Sequence, residues 1–262
     1  MKTIIVIKVG TNTLIKKGTS GEEILDTESF ERIGLQIKTL QGMGYGIIVI
    51  SSAAITAGMV QIGVRVRPSI DTEMIELQRL ASIGWRHVLA AWGNALPESN
   101  VGELLLTQAD LNDQSEREEA LRVIKVLLNH GDVPIVNEND AITHQEISFG
   151  DNDTLAALLA AGLAESTLYS EDIKLILLSD VDGVYADKND SSTIIPAIAD
   201  IRDYVHVAGD ATSANGTGGM KSKFSAAEIA VSHGVDMWIT NGRSENSIQN
   251  TLSGRAGTHF TT

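Results

Sequence analysis

The sequence predicts an α/β fold built around a mostly parallel β-sheet. Short apolar runs rich in β-branched residues alternate along the 262 residues with longer amphipathic stretches, which is the pattern of strands joined by crossover helices. Only 4% of the residues are aromatic and 24 are glycine, a composition that favours many tight turns over a sandwich packed with aromatic rings. Because crossover helices lie on both faces of a parallel sheet, we expect helical layers above and below it.

Six strands are predicted, and each apolar run is too short to be a buried helix. They cover residues 4–9, 47–50, 103–107, 133–137, 173–178 and 237–240. The second strand lies in an uncharged stretch, residues 39–64, that is long enough to require a membrane test. Glycine, serine and glutamine interrupt this stretch, so we interpret it as a buried strand, a turn and a helix, and we expect no membrane association.

Six helices are predicted between these strands, several of them preceded by a capping Ser, Thr or Asp. They cover residues 30–40, 54–61, 72–92, 116–129, 154–163 and 221–233. Residues 185–215 combine short apolar pieces with Asp-rich turns, which predicts a loop-rich region. At roughly 150 residues per domain the length allows one large α/β domain. We expect a single domain with two lobes, residues 1–165 and 166–262.

Charge and composition exclude several classes of function. The formal net charge is -14 and the isoelectric point is near 4.8, so the overall field repels a polyanion and excludes sequence-independent binding of nucleic acid. The absence of cysteine excludes disulfide scaffolds, thiol enzymes, zinc ribbons and iron–sulfur proteins. The first ten residues lack the features of a signal peptide, so we expect no export.

Small polar residues follow four of the predicted strands, where parallel α/β sheets bind their ligands. These residues are Gly10-Thr11-Asn12, Ser51-Ser52, Asn137-Glu138-Asn139-Asp140 and Ser179-Asp180. Lys8 lies near the end of the first strand and points either into this edge or out to solvent. The neighbouring Gly10 favours the first orientation, because a glycine lets backbone N–H groups approach a phosphate closely.

Two further segments carry candidate binding groups. Residues 216–223 place glycines before a helix and Lys221 and Lys223 in its first turn, which is suited to an anion; the alternative is a flexible turn with solvated lysines. Asp151, Asn152 and Asp153 open another helix and exceed what capping needs. They could orient the lysines, hold a substrate ammonium or help to place Mg²⁺.

Several familiar catalytic sites are absent from the sequence. There is no P-loop motif, and the glycines at 42, 44 and 46 precede a strand where a dinucleotide-binding fingerprint would follow one. The six histidines form no metal-binding pattern. Ser51 and Ser52 lack the Gly-x-Ser-x-Gly context of a nucleophile, so hydrogen bonding or capping is the better interpretation.

Taken in order, the motifs resemble those of the amino acid kinase family, and specifically of members that phosphorylate the side-chain carboxylate of L-glutamate. They are residues 7–11 (Ile-Lys-Val-Gly-Thr), 51–55 (Ser-Ser-Ala-Ala-Ile), 137–140 (Asn-Glu-Asn-Asp), 149–153 (Phe-Gly-Asp-Asn-Asp), 179–185 (Ser-Asp-Val-Asp-Gly-Val-Tyr) and 216–223 (Gly-Thr-Gly-Gly-Met-Lys-Ser-Lys). The resemblance implies a three-layer αβα sandwich around an open, mainly parallel eight-stranded sheet. It also implies transfer of the ATP γ-phosphoryl group to glutamate, the first step of proline biosynthesis, in the cytoplasm.

The resemblance implies a role for each matching residue. Lys8 and Lys223 would neutralise the phosphoryl group in transit, and Asp153 would orient them. Glutamate would be held by Ser51, Asp140 and Asn152, with Asn137 close by. The residues implied to contact ATP are Lys8, Gly10, Ser179, Asp180, Thr217, Gly218, Gly219, Met220, Lys221, Ser222 and Lys223. Mg²⁺ would accompany ATP, with no ligand assigned directly and Asp153 as a candidate.

The chemistry of the residues agrees with this activity. A carboxylate acceptor with a pKa of about 4.3 is already ionised at neutral pH, so no general base is required. Alternative acceptors within the family are aspartate, acetylglutamate, carbamate or a nucleotide. Acetylglutamate lacks the ammonium that Asp140 would hold, and a nucleotide would require more basic residues. An idle ligand-binding protein of the same fold is the alternative from another class.

Further expectations follow from the resemblance. We expect a homo-oligomer, feedback inhibition by proline and a transient contact with glutamyl phosphate reductase. The chain departs from the family at Ala53, where glycine is common, at Lys188, where proline is usual, and at Lys221, an added charge. Many relatives carry a C-terminal PUA-type domain, and because this chain stops soon after its last predicted strand, effects that depend on that domain are expected to be absent.

Overall fold

Eight strands form one central sheet. The computed structural model describes residues 2–19, 21–70, 73–142, 152–187, 189–204, 207 and 219–261. From one edge to the other, the sheet is ordered β10 (Ala197–Ile198), β12 (Thr258–Phe260), β11 (Asp236–Asn241), β7 (Asp172–Ser179), β1 (Thr3–Val9), β4 (Gly46–Ser51), β6 (Val133–Glu138) and β5 (Val101–Leu106). The six strands from β11 to β5 are parallel to one another, whereas β12 runs antiparallel to β11 and β10 is parallel to β12. The prediction of a mostly parallel sheet is confirmed.

Helices and two small hairpins complete the described structure. The helices are α1 (Thr11–Leu14), α2 (Thr27–Gly42), α3 (Ala54–Ile62), α4 (Met74–Ala95), α5 (Gln108–Asn112), α6 (Gln114–Asn129), α7 (Asn152–Glu165), α8 (Met220–Ser232) and α9 (Ser247–Leu252), with a 3₁₀ turn at Ile201–Tyr204. The hairpins pair β2 (Ile15–Lys17) with β3 (Glu23–Leu25) and β8 (Val184–Tyr185) with β9 (Ile194–Ile195). No helix in the described part of the chain has the length and apolarity needed to cross a bilayer.

All six predicted strands and all six predicted helices are present, with ends that differ by a few residues. The elements that the sequence did not predict are short. Both strands that run against the main direction, β10 and β12, have only two or three residues, too few for a period-two pattern to be recognised. The hairpins and α1, α5 and α9 were missed for the same reason.

The core lies on both faces of the sheet, and β1 shows how the sequence divides it. Ile4 and Val6 point to the face covered by α6, α7 and α8, while Ile5 and Ile7 point to the face covered by α2, α3 and α4. All four side chains are fully buried, because β1 has a neighbouring strand on either side and helices above and below. The chain therefore forms a three-layer αβα sandwich, as predicted.

Helices α3 and α4 pack closely through two glycines. A Cβ atom added at Gly58 of α3 would collide with the carbonyl oxygen of Leu80, and one added at Gly84 of α4 would collide with the carbonyl oxygen of Ala54. Backbone atoms cannot move aside as a flexible side chain can, so the two helices must separate if either glycine gains a side chain. The helix pair packs on the face of the sheet that includes β4, and α3 begins directly after β4. A shift of the pair would therefore also move the residues at the end of β4.

Gly84→Ala is therefore expected to lower the free energy of unfolding by about 3 kcal/mol through overpacking against α3. Gly93→Ala is the matched control, because Gly93 lies in the same helix and an added Cβ would meet only the Val101 side chain, at 3.8 Å. This control is expected to raise stability by up to about 1 kcal/mol through helix propensity. Urea unfolding followed by circular dichroism measures both, and equal stability of Gly84→Ala and the wild type would contradict the close approach of the helices.

Candidate active site

The candidate site lies where four adjacent strands end. The carboxyl ends of β7, β1, β4 and β6 lie side by side at one edge of the sheet, and helices α7 and α8 begin at the same edge. Chain order does not bring these strands together, since β7 follows β6 in sequence yet pairs with β1. The sheet order thus gathers candidate residues from the N-terminal and C-terminal parts of the sequence.

At the centre of this edge, one carboxylate is shared by two lysines. Lys8 Nζ lies 2.5 Å from Asp153 Oδ1, and Lys223 Nζ lies 3.1 Å from Asp153 Oδ2. Ser222 Oγ also donates a hydrogen bond to Asp153 Oδ2, at 2.9 Å. Burial alone would raise the pKa of the Asp153 carboxyl, but the two ammonium groups outweigh burial and hold this pKa well below its ordinary value. Asp153 is therefore ionised throughout the neutral range.

Three different elements place these charges. Lys8 follows Ile4 and Val6 in the alternation of β1, so its side chain points to the face that carries α7 and α8. Asp153 and Lys223 lie in the first turns of α7 and α8. These helices pack against each other, and both are rich in fully buried alanines, which let their axes come close; the alanines are Ala156, Ala157, Ala160, Ala226, Ala227 and Ala230.

Asn152 connects α7 to the ends of β4 and β6. Its Nδ2 donates hydrogen bonds to Ser52 Oγ and Asn137 Oδ1, each at 2.9 Å, and lies 3.4 Å from the Ser51 carbonyl oxygen. Its Oδ1 accepts a hydrogen bond from the Glu138 backbone N–H at 3.1 Å. The side chain is 3% exposed, so these bonds fix it in a water-poor position. Asn152 therefore does more than begin α7, because its side chain also holds the ends of β4 and β6 together.

Asp140 follows β6 and carries an unusual buried charge. Asn137 Nδ2 donates to its Oδ2 at 3.2 Å, while its Oδ1 is buried with no hydrogen-bond partner among the described residues. Burial raises the pKa of Asp140 to about 6, although the bond from Asn137 and the charge of Arg67 act against this rise. A buried carboxylate oxygen without a donor is costly, and a cationic ligand would satisfy it.

Arg67 is a half-buried guanidinium in the segment between α3 and α4. Burial lowers its pKa, and the carboxylates of Asp140 and Glu23 oppose this effect. Arg67 and Asp140 thus influence each other through space, yet no ion pair joins them within the described structure. A second charge of opposite sign therefore accompanies Asp140 at this end of the site.

Ser51, at the end of β4, is fully buried, and its Oγ accepts a hydrogen bond from Trp92 Nε1 at 2.8 Å. Two residues later, Ala53 adopts a left-handed conformation with φ of 81°. This conformation costs a non-glycine residue roughly 1 kcal/mol, so the backbone at this position favours glycine. The departure at Ala53 is tolerated at the expense of a strained turn between β4 and α3.

On the other side of Lys8 lie residues predicted to contact ATP. A Cβ atom added to Gly10 would lie 3.7 Å from Lys8 Nζ, so glycine keeps the approach to that ammonium open. Ser179 is buried at the end of β7, and its Oγ lies 3.2 Å from Asp180 Oδ1. Asn12 Nδ2 donates to Asp180 Oδ2 at 2.7 Å and links the two strand ends.

The start of α8 completes this side of the site. Gly219 is the N-cap, and its carbonyl oxygen accepts from Ser222 Oγ at 2.9 Å. Met220 and Ser222 are half-buried, Lys223 is 7% exposed, and Lys221 is exposed to solvent. The predicted ATP contacts at Thr217 and Gly218, as well as Asp151 and Lys188, lie outside the described residues.

The described residues offer no dedicated metal centre. Among them, no group of three or more His, Asp or Glu side chains could hold a metal ion. Asp153 already faces two ammonium groups, whose charges oppose the approach of a divalent cation. The donor set therefore fits a magnesium ion carried by the phosphates of a nucleotide and does not fit one held by the protein alone.

The residues predicted as site residues, where described, are gathered at this one edge of the sheet. The substrate set (Ser51, Asn137, Asp140 and Asn152) lies at β4, β6 and the start of α7, and the ATP set lies at β1, β7 and the start of α8. Arg67 and Trp92 were not predicted, and Asn12 was predicted only as one of the polar residues that follow the first strand, without a role of its own. Arg67 and Asn12 lie in or beside polar segments that the sequence shows, whereas Trp92 reads as an ordinary core residue of an amphipathic helix.

The geometry supports a transfer reaction between two bound anions. Lys8 and Lys223 meet at Asp153 at the end of β1. The buried Asp140 carboxylate follows β6 on one side of β1, and the polar end of β7 lies on the other side. Such an arrangement neutralises a phosphoryl group in transit, and no histidine takes part in the described contacts of these residues.

Comparison with known proteins agrees with this arrangement. The family model described as "Amino acid kinase family" matches residues 3–241. A glutamate 5-kinase from Clostridium acetobutylicum is 37% identical over 255 residues, which cover 95% of this chain and 90% of the relative. A glutamate 5-kinase from Symbiobacterium thermophilum is 38% identical over 262 residues, which cover 98% of this chain and 95% of the relative. A third, from Shewanella halifaxensis, is 38% identical, with 98% of this chain and 67% of the relative covered.

A solved structure supports the fold independently. The UMP kinase from Ureaplasma parvum superposes with a TM-score of 0.63 and covers 100% of both chains, at 18% sequence identity. At that identity the likeness concerns the fold alone. The family match, by contrast, spans most of the sequence and includes the strands and helices that build the site. The chain belongs to the amino acid kinase family.

Proposed function

We propose that this protein is a kinase that uses ATP to phosphorylate the side-chain carboxylate of L-glutamate, forming L-glutamyl 5-phosphate. The observation that carries the proposal is the pair of lysines on Asp153 at the end of β1, with the buried Asp140 carboxylate on the β6 side and Ser179 and Asp180 on the β7 side. The glutamate 5-kinase relatives, which match this chain over nearly its whole length, support the choice of acceptor.

On the acceptor side, the Asp140 carboxylate would bind the α-ammonium group of glutamate. Its buried Oδ1 lacks a donor among the described residues, and an ammonium group supplies one together with the opposite charge. Ser51, Asn152 and Asn137 would hold and orient the rest of the amino acid. Polar contacts at both ends must measure its length, because one methylene in a pocket is worth only about 1 to 3 kcal/mol.

In the transfer step, a side-chain carboxylate oxygen of glutamate attacks the γ-phosphorus of ATP. The new O–P bond forms as the bond between the γ-phosphorus and the β,γ-bridging oxygen breaks, and ADP leaves with the electron pair. Lys8 and Lys223 would neutralise the oxygens of the phosphoryl group, while Asp153 holds both ammonium groups in place. No proton has to be removed from the acceptor.

On the nucleotide side, Gly10, Ser179, Asp180 and the start of α8 would bind ATP. Free backbone N–H groups at a helix N-terminus suit phosphate oxygens. Mg²⁺ would arrive on the nucleotide and supply further neutralisation of the phosphates. We propose that ATP lies over residues 166–262 and glutamate over residues 1–165, a division that the order of the strands supports.

The proposed reaction begins proline biosynthesis, and its substrates are cytoplasmic metabolites, so we propose a cytoplasmic enzyme. Inhibition by proline, a homo-oligomeric assembly and a transient contact with glutamyl phosphate reductase remain part of the proposal. An acyl phosphate hydrolyses or cyclises readily, and rapid transfer to the reductase would limit that loss.

Trapping of the acyl phosphate with hydroxylamine tests the proposed reaction. With MgATP, we expect hydroxamate from L-glutamate and none from L-aspartate or N-acetyl-L-glutamate, because only L-glutamate matches both the ammonium site and the length of the pocket. Omission of ATP is the control. Hydroxamate from only one of the other acceptors would show that the substrate is that acceptor and not glutamate. The absence of hydroxamate from all three would contradict the proposed kinase activity.

Lys8→Ala and Lys223→Ala test the charge contacts. Each is expected to lower kcat by roughly 10² to 10³, as when one transition-state contact is removed. Lys38→Ala is the control, since Lys38 forms an exposed surface ion pair with Glu98 away from the site. Thermal unfolding establishes that each variant folds, and a folded variant with wild-type turnover would remove the corresponding lysine from the mechanism.

Asp140 makes glutamate binding depend on pH. Its pKa of about 6 means that the free protein loses the negative charge below that pH, so a bound ammonium loses its partner. The Kd for glutamate, measured without nucleotide, is expected to rise as the pH falls from 7 to 5, by up to tenfold per unit below the pKa. Asp140→Asn should bind weakly at every pH and lose this dependence. A wild-type Kd that stays constant over this range would contradict the role of Asp140.

A further inference from the structure

Trp92 is the one indole that reaches the described site residues. Its Nε1 donates to Ser51 Oγ over 2.8 Å, and both side chains are 0% exposed. Trp92 lies near the end of α4, and its ring meets the Phe30 ring edge to face, with centroids 4.9 Å apart. The indole is therefore held on one side by α2 and reaches β4 on the other.

A buried indole N–H needs an acceptor for stability alone, and many groups could serve. The choice of Ser51 has a chemical consequence. A serine hydroxyl has one proton and two lone pairs, and an indole can only donate, so the bond from Trp92 occupies a lone pair. The hydroxyl proton then remains for another partner. In the structure it points to the Ser52 carbonyl oxygen at 3.3 Å, a long bond that a charged acceptor can replace.

We propose that Trp92 is a positioning residue that holds the Ser51 hydroxyl as a hydrogen-bond donor toward a carboxylate of the amino-acid acceptor. This inference rests on the proposed function, in which Ser51 contacts glutamate. It assigns a substrate-recognition role to a tryptophan that does not itself touch the substrate.

The surroundings of Ser51 leave its hydroxyl few other arrangements. Asn152 Nδ2 reaches the Ser51 carbonyl oxygen and bonds Ser52 Oγ, which fixes the backbone from the side of α7. The indole fixes the oxygen from the side of α4. With the backbone held from one side and the hydroxyl oxygen from the other, the direction of the hydroxyl proton is the remaining variable, and the hydrogen bond from Trp92 restricts that direction by occupying one lone pair of the oxygen. A bond received by a hydroxyl also strengthens the bond that it donates.

Trp92→Phe tests the proposal, because phenylalanine keeps a ring against Phe30 and removes the donor. We expect the KM for glutamate to rise roughly tenfold, with smaller changes in kcat and in the KM for ATP, as for a lost contact to a charged group. Trp85→Phe is the matched control: Trp85 lies in the same helix, is 6% exposed and donates to Glu103 instead. Trp85→Phe should leave the KM for glutamate unchanged.

A double-mutant cycle with Ser51→Ala separates positioning from packing. If Trp92 acts through the Ser51 hydroxyl, Trp92→Phe should raise the KM for glutamate in the wild type and add nothing further in the Ser51→Ala background. The same rise in both backgrounds would overturn the proposal, because the indole would then act independently of the hydroxyl. An unchanged KM in folded Trp92→Phe would overturn it as well.

A measurement on the wild type keeps the proposal testable if Trp92→Phe does not fold. The Trp92 indole N–H signal, assigned by NMR with the help of Trp85→Phe and Trp238→Phe, is expected to shift on addition of L-glutamate, because the hydroxyl that accepts its bond changes partner. No shift at saturating glutamate would reject the proposal. Wild-type hydroxamate formation is measured first, so failure of the proposed function is distinguished from failure of this inference.

Discussion

The site depends on one electrostatic constraint, the burial of two ammonium groups around a single carboxylate. Lys8, Asp153 and Lys223 are each less than 10% exposed, and their formal charges add up to one positive charge. Without Asp153, two cations would repel each other in a poorly solvated place. With it, the cluster joins β1, α7 and α8 at one point and retains the charge that an incoming phosphoryl group would neutralise. The alanine packing of the two helices serves this contact.

Much of the fold could be predicted because its main elements repeat a strong pattern. Strands buried on both faces are continuous apolar runs, and the helices between them show one apolar side, so β1, β4 and β7 could be recognised from sequence. The order of the strands could not be derived from those patterns, because pairing of β7 with β1 depends on contacts far apart in the chain. The short strands β10 and β12 form by pairing, in turn, beyond β11 at one edge of the sheet, so their own sequences do not predict them.

The site was predictable where polar residues interrupt apolar strands or open helices. Lys8, Asp140 and Asp153 stand out in this way, because a charged side chain next to a buried apolar run is costly unless a partner or a ligand compensates its charge. Arg67 and Trp92 do not stand out. Arg67 lies in an ordinary polar connection between α3 and α4, and only the folded chain brings its charge close enough to Asp140 to act on it. Trp92 fits the apolar side of α4, and its bond to Ser51 spans 41 positions of sequence.

The buried cluster also bears on how substrates arrive. Both proposed substrates are anions, and the chain as a whole carries a net charge of -14. The positive charge of the cluster is enclosed by protein and offset by Asp153, so it acts at contact range, while the long-range field is that of the acidic surface. The net negative charge of the protein therefore repels the anionic substrates at long range, and the lysines attract them only once they reach the site. Salt screens the opposing field over about 10 Å at 0.1 M, so moderate ionic strength accelerates capture, the reverse of electrostatic steering.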